Sequence, residues 1–327
     1  MDSGGVNSEA RLARREERRR ALRRRRLAAA SLLVVAIGAL LVVALTLAGG
    51  SSSGGSVREA TSHPKAPRQG KRHGSSSAPQ SRQRTGPPGT EPVPILMYHV
   101  IAEPPPGAPF PGLYVAPKEF AEQMQALKQA GWHAVTLDEV EAYWKHGTPL
   151  GAGKPIVLSF DNGYQSQYTQ ALPVLRRLGW VGVENIQLSG LPPSQGGFGA
   201  GQVQGLLAAG WELDTQGFSH ADLITLDAQQ LHYQVAVARE VVQRRYHVPV
   251  NWFCYPSGHY DATVVAAVAG AGYEGSTTVI PGWAHPGDDP YRMHRLRVLG
   301  GTSASQLLAL IDGVRDDPPA PSSYSGG

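Results

Sequence analysis

The chain has one cysteine, Cys254, in 327 residues. That excludes a disulfide-stapled scaffold. Charged residues make up only 17% of it. No GxGxxG follows an apolar strand and no glycine-lysine phosphate loop is present, so a nucleotide-binding Rossmann reading has little support. The net charge of +4 describes no single surface. Residues 1–26 carry +6, residues 49–91 carry +5 and residues 92–327 carry −7. The sequence pI of 9.2 therefore does not describe a basic folded domain.

What the chain does have is one long apolar run. Residues 27–48 contain no charge across 22 residues. As a helix such a run would reach roughly 33 Å, enough for a bilayer core of about 30 Å. Ten arginines precede it, and the positive-inside rule then places the N-terminus in the cytoplasm and the rest of the chain outside. A secretory signal has a shorter apolar core of about 7–15 residues, so the sequence predicts an uncleaved single-pass anchor in a bacterial cell membrane. Topology signalling accounts for the arginines without a nucleic-acid partner. Residues 49–91 offer almost nothing to bury and predict a disordered linker.

Regular pattern begins near residue 92. Short apolar strands at 94–100, 133–136, 155–160, 181–189, 211–216, 250–256, 273–279 and 295–298 alternate with helical segments. One such segment, 117–131, opens on Pro117 and closes at Gly131, with Phe120, Met124 and Leu127 on one face. Repeated strand–helix units predict an α/β fold, a parallel sheet closed or nearly closed into a barrel. The domains read as a cytoplasmic tail at 1–26, a transmembrane helix at 27–48, a linker at 49–91, a folded domain at 92–313 and a flexible tail at 314–327.

In parallel barrels the chemistry gathers at the C-terminal ends of strands. Tyr98 and His99 end the first strand, Asp161 and Asn162 the third, and Asp214 and Gln216 the fifth, with Ser219 and His220 in the next turn. Tyr255, Pro256, Ser257 and Gly258 end the sixth, and His294, Arg295 and Arg297 surround the last. Asp161 could serve as a general base or cap its turn. His220 could bind a metal or be structural. Asn162 and Gln216 offer neutral oxygens, feeble zinc ligands beside carboxylate and imidazole. Cys254, inside an apolar strand, reads as packing rather than as a nucleophile.

The segments VPILMYH (93–99), LSFDNGY (158–164), GWELDTQGFSHADL (210–223), FCYPSG (253–258) and YRMHRLRV (291–298) together resemble the polysaccharide deacetylases, the NodB-homology carbohydrate esterases. The resemblance covers about residues 92–313. It implies a distorted (β/α) barrel and a divalent metal, usually zinc, that activates water against an N-acetyl group, so that a carbon–nitrogen bond is hydrolysed. Position by position, Asp161 matches the catalytic base, Asn162 the metal-binding aspartate, and Gln216 and His220 the two metal histidines. Ser257 matches the residue whose backbone N–H faces the oxyanion, and His294 is the nearest candidate for the acid. Tyr98, His99 and Tyr255 would border the substrate groove.

Two of the three matched metal ligands are thus replaced, and Asp214 is the candidate for a rearranged site. Two readings follow. One is a membrane-anchored, extracytoplasmic hydrolase acting on an N-acetylated cell-envelope glycan. The other is a pseudoenzyme, with no metal, that binds glycan or has a structural or regulatory role in the envelope.

Overall fold

The structure is a computed structural model and describes residues 86–189, 191, 197–315 and 318–326. Eight strands alternate with helices: β1 (Ile95–Tyr98), α1 (Pro117–Gln129), β2 (Trp132–Val135), α2 (Leu137–His146), β3 (Lys154–Asn162), α3 (Leu172–Leu178), β4 (Val183–Ile186), α4 (Ala200–Ala208), β5 (Glu212–Thr215), α5 (Ala228–His232), α6 (Ala238–Tyr246), β6 (Trp252–Cys254), α7 (Ala262–Gly270), β7 (Gly275–Thr277), β8 (Leu296–Arg297) and α8 (Ala304–Gly313). Local chemistry sets the limits of these elements. At α2, Thr136 and Glu139 form a reciprocal capping box, and Gly147 closes the helix in the left-handed region.

Every strand pairing is parallel, and the sheet runs β7-β6-β5-β4-β3-β1-β8. The long strand β3 carries two neighbours along one edge. Its first half pairs with β2 through Trp132–Lys154 to Val135–Val157, and its second half pairs with β4. The sheet curls until β7 meets the segment before β8, at the parallel bridge between Thr277 and Met293. Met293 accepts from the Thr278 amide at 2.9 Å. The α/β expectation thus holds as a curled parallel sheet with helices between its strands.

Side-chain alternation divides the strands into two faces. One face packs on the helices: Tyr98 stacks on Phe160 at 5.6 Å, Phe120 of α1 meets both rings, and Trp211 stacks on Phe160 at 4.9 Å. These rings are buried. Burying side chains of this kind contributes roughly 1.5–3 kcal/mol each. The opposite face lines the inside of the curl and carries the polar groups discussed below.

Three local features modify the regular alternation of strand and helix. Pro173 cannot supply an amide to the preceding turn. The helix there opens with a π turn at Gln167–Ala171 before α3 begins. The helical run from α5 to α6 likewise contains a π turn, Tyr233–Val237. Residues 314–327, read as a tail, include a docked stretch: Tyr324 exchanges two backbone hydrogen bonds of 2.8 Å with Tyr260, whose hydroxyl donates to the Pro321 carbonyl at 2.8 Å.

The membrane expectation is corrected. Among the described residues no helix is long and apolar enough to cross a membrane. The longest, α1, has 13 residues, about 20 Å, and presents an apolar stripe to the core rather than an apolar circumference. The 27–48 segment lies outside the described residues. The transmembrane helix, the anchored single-pass topology, the membrane partner and the cell-membrane location are therefore not carried into the functional reading. The 1–26 tail and all of the 49–91 linker except its end lie outside the described residues too. The end of that linker, residues 86–91, is described: the Gly89 amide donates to the Tyr143 carbonyl at 2.9 Å and Trp144 Nε1 to the Glu91 carbonyl at 2.9 Å.

Candidate functional site

The site is built by parity. On β3, β4 and β5 the residues that face the inside of the curl near the C-terminal end are polar, among them Asp161, Asn185 and Asp214, and strands far apart in sequence bring them together. Asp161 stands at the centre, on β3, and is 1% exposed. Arg295, also 1% exposed, reaches it just before β8 and makes a two-pronged pair: one guanidinium nitrogen donates to Oδ1 at 2.7 Å, the other to Oδ2 at 2.9 Å. Asn185 Nδ2 donates to Oδ1 at 2.9 Å. The Cys254 thiol lies 3.5 Å from Oδ2, and His99 Nε2 lies 4.0 Å from it.

The electrostatics follow from these contacts. Burial alone would raise the Asp161 pKa. The Arg295 charge, with smaller help from His99 and Asn185, outweighs it and holds the carboxyl down at about 2. Arg295 is buried as well, and Asp161 keeps it charged. The guanidinium is fixed from other sides: Nε donates to the Thr278 carbonyl at 2.7 Å, and a terminal nitrogen to Ser159 Oγ at 3.2 Å. Burial pushes His99 down to about 4, against the opposing pull of Asp161, so its ring is neutral at pH 7. Burial pushes the Cys254 thiol well up, which makes it a poor nucleophile.

Asn162 and Gln216 both bring carboxamides to the site. Asn162 has φ 82° and Gly163 φ 89°, so the chain turns through two consecutive left-handed residues. Asparagine tolerates that region where most side chains do not. Its Nδ2 donates to Gln187 Oε1 at 2.9 Å, and Gln187 Nε2 donates to the Ser189 carbonyl at 3.0 Å. Gln216, 2% exposed, has an Oε1 that accepts no hydrogen bond among the described residues. His220 is exposed at the rim.

Not every expected site residue joins this cluster. Tyr98 faces the helices, where its hydroxyl donates to Gln123 Oε1 at 2.9 Å. Tyr255 faces outward too, donating to the Tyr291 carbonyl at 2.9 Å and stacking on Tyr260. His294 has the opposite parity to Arg295. Its Nε2 lies 3.1 Å from the Pro318 carbonyl and its Nδ1 3.9 Å from Asp288. The histidine beside Asp161 is His99.

Asp214 turns to the next strand. Its Oδ1 accepts from the Trp252 amide at 2.9 Å and the Asn251 amide at 3.2 Å. It also interacts with Glu212, whose carboxylate accepts from the Leu137 and Asp138 amides. Ser257 is exposed in a left-handed turn, φ 57°.

The sequence reading missed Arg295 as the partner of Asp161, together with Asn185 and Gln187. The signal available was alternation: Arg295 and Arg297 share a strand face, and so do Asn185 and Gln187.

These donors do not fit a resident divalent metal. Both oxygens of Asp161 are engaged, the Asn162 amide donates to a neighbour, and Gln216 is neutral. Among the described residues no group of three or more His, Cys, Asp or Glu side chains could hold a metal ion.

Comparison with known proteins agrees with the architecture. The polysaccharide deacetylase family model matches residues 151–276. Among curated proteins, YxkH of Bacillus subtilis (strain 168), provisionally named a polysaccharide deacetylase, is 26% identical over 223 residues, covering 68% of this chain and 77% of that protein. Among solved structures, the Streptococcus pyogenes deacetylase PplD in complex with acetate superposes with a TM-score of 0.62 at 24% identity, over 68% of this chain and 99% of that one. BC0361, a polysaccharide deacetylase from Bacillus cereus, gives a TM-score of 0.60 at 24% identity, over 68% of this chain and 69% of that one. At those identities the two structures speak for the fold alone. Residues 151–276 thus match the polysaccharide deacetylase family model, and the fold around them is shared with the solved deacetylase structures.

Proposed function

We propose that this polysaccharide deacetylase-family chain binds an N-acetylated glycan and does not hydrolyse it. One observation carries the reading. The three positions that match the family's metal ligands hold two carboxamides and one imidazole, and the N–H₂ group of the first donates to Gln187. Metal-assisted amide hydrolysis needs an ion to lower the pKa of water and polarise the carbonyl. With neutral amides in place of a carboxylate and an imidazole, zinc affinity falls and the chemistry loses its electrophile.

Asp161 then has no activated water to deprotonate. Its contribution is structural: a pinned carboxylate that holds Arg295 across the curl. The remaining polar groups suit recognition. The exposed rim residues His220 and Arg297 can meet sugar hydroxyls.

The test uses the full chain. Calorimetric titration with N-acetylglucosamine oligomers should give saturable binding. Incubation of the same oligomers with added zinc, nickel or cobalt should release no acetate above the protein-free control. Stoichiometric bound metal together with Asp161-dependent acetate release would overturn the reading.

A further inference from the structure

A second surface adjoins the site and is built from aromatic and amide groups. Tyr233 is 45% exposed, one of three exposed large hydrophobic side chains among the described residues. It opens the π turn Tyr233–Val237, where the extra residue displaces the helix surface outward. Its ring lies 4.4 Å from that of Phe218, tilted by 36°. Phe218 stands two residues before His220, in the loop after β5. The Tyr233 ring therefore lies against Phe218 and, being exposed, presents one backed aromatic face beside the rim of the candidate site.

The neighbouring Gln234 ties this face to the site. Its Oε1 accepts from the Ser219 amide at 2.8 Å, its Nε2 donates to Ser219 Oγ at 2.9 Å, and its backbone carbonyl accepts from the Phe218 amide at 3.1 Å. Three bonds from one helix residue fix the loop that carries His220.

An open cavity of about 400 Å³ lies on this surface, lined by Leu226, Gln229, Gln230, Tyr233 and Gln234. That volume is within the range of about 300–1,000 Å³ typical of small-ligand sites. None of the lining residues is charged. Gln230 uses its Oε1 and backbone amide to cap α5 at Asp227, which leaves its side-chain N–H₂ outside that capping box. Gln229 is exposed. An uncharged lining that offers a phenol ring and several carboxamides does not select ions or phosphates. It suits a ligand with one apolar C–H face and a perimeter of hydroxyl and acetamido groups, which is the chemistry of a pyranose ring.

We propose that the Phe218–Tyr233 face, with Gln229 and Gln230, is a sugar subsite that holds a pyranose unit of the glycan that also occupies the mouth of the curl, beyond the two units a dimer would place there. The inference rests on the glycan-binding reading and adds a direction to it: the glycan runs from the mouth past His220 toward α5. Affinity then depends on chain length, because a dimer seated at the mouth cannot also reach Tyr233.

The experiment compares N-acetylglucosamine dimer and hexamer on the full chain by calorimetric titration, for the unsubstituted protein and for Tyr233→Ala, Tyr233→Phe and Gln229→Ala. The unsubstituted protein should bind hexamer at least tenfold more tightly than dimer. Tyr233→Ala should lose about tenfold toward hexamer, the size of one good aromatic contact, and leave dimer unchanged. Tyr233→Phe should retain most of the length dependence, and Gln229→Ala should lose a smaller part of it. Melting curves establish that each variant is folded. Equal hexamer affinity in Tyr233→Ala and the unsubstituted protein, with binding intact, overturns the subsite while leaving glycan binding in place. No binding of either oligomer by the unsubstituted protein overturns the glycan-binding reading, and the subsite with it.

Discussion

Replacing Asp161 by Asn tests whether the central carboxylate is a structural ion rather than a waiting base. The side chain keeps its shape and an acceptor for Asn185, but Arg295 loses its counter-charge while 1% exposed. Removing one member of a buried pair leaves an uncompensated charge and costs about 3–5 kcal/mol. Domains are stable by only about 5–15 kcal/mol, so the loss is a large share. For a domain of this size it corresponds to a fall in Tm of roughly 6–20 °C. Urea unfolding at pH 7 measures it directly.

The pH dependence adds a second reading. Asp161 has its pKa lowered in the folded chain, to about 2. Its contribution is therefore present above the unfolded value near 3.8 and is lost as pH falls through about 2. Roughly 2 kcal/mol of the difference between parent and variant should disappear across that window. The double variant Asp161→Asn, Arg295→Met should recover much of the stability, because it removes both charges together. A single variant within 1 kcal/mol of the parent at pH 7, or a double variant as unstable as the summed singles, would refute the reasoning.

Two further outcomes can be checked independently. Asp214 has its pKa raised to about 7, first by burial. Its protonated form favours the fold, so stability is full below about pH 4 and is lost as pH rises through 7. Asp214→Asn should raise the urea midpoint at pH 8 and make no difference at pH 4. A lower midpoint at pH 8 would contradict this. Joint substitution of Asn162→Asp and Gln216→His should give a chain that retains about one zinc ion through dialysis when the parent retains none, read by elemental analysis. Zinc in the parent, or none in the double variant, would count against the donor argument.

Much of the fold was legible because the strands are apolar runs and the helices carry ordinary punctuation, such as Pro117 and Gly147. The candidate site was legible in part. Asp161, Asn162, Gln216 and His220 were recognisable as strand-end residues, each readable within a few neighbours. The Asp161–Arg295 pair was not, because 134 positions separate its members and only closure of the curl brings them together. Parity explains the misplaced members. Tyr98 and His99 are adjacent in sequence but face opposite sides of β1, as do His294 and Arg295 near β8. A motif read as letters lumps such neighbours together, whereas a strand separates them. The π turns were illegible for a related reason: a single inserted residue leaves the apolar pattern on either side nearly unchanged.

The left-handed backbone at Asn162 has a consequence for what this position can become. With φ at 82°, the turn excludes β-branched and bulky side chains and admits little beyond glycine, asparagine and aspartate. Within that short menu, asparagine discards the negative charge yet preserves the conformation. The turn is thus a filter on chemistry. Aspartate and asparagine differ there by one oxygen exchanged for an NH₂ group, so charge can change at this position while the loop that shapes the mouth keeps its form.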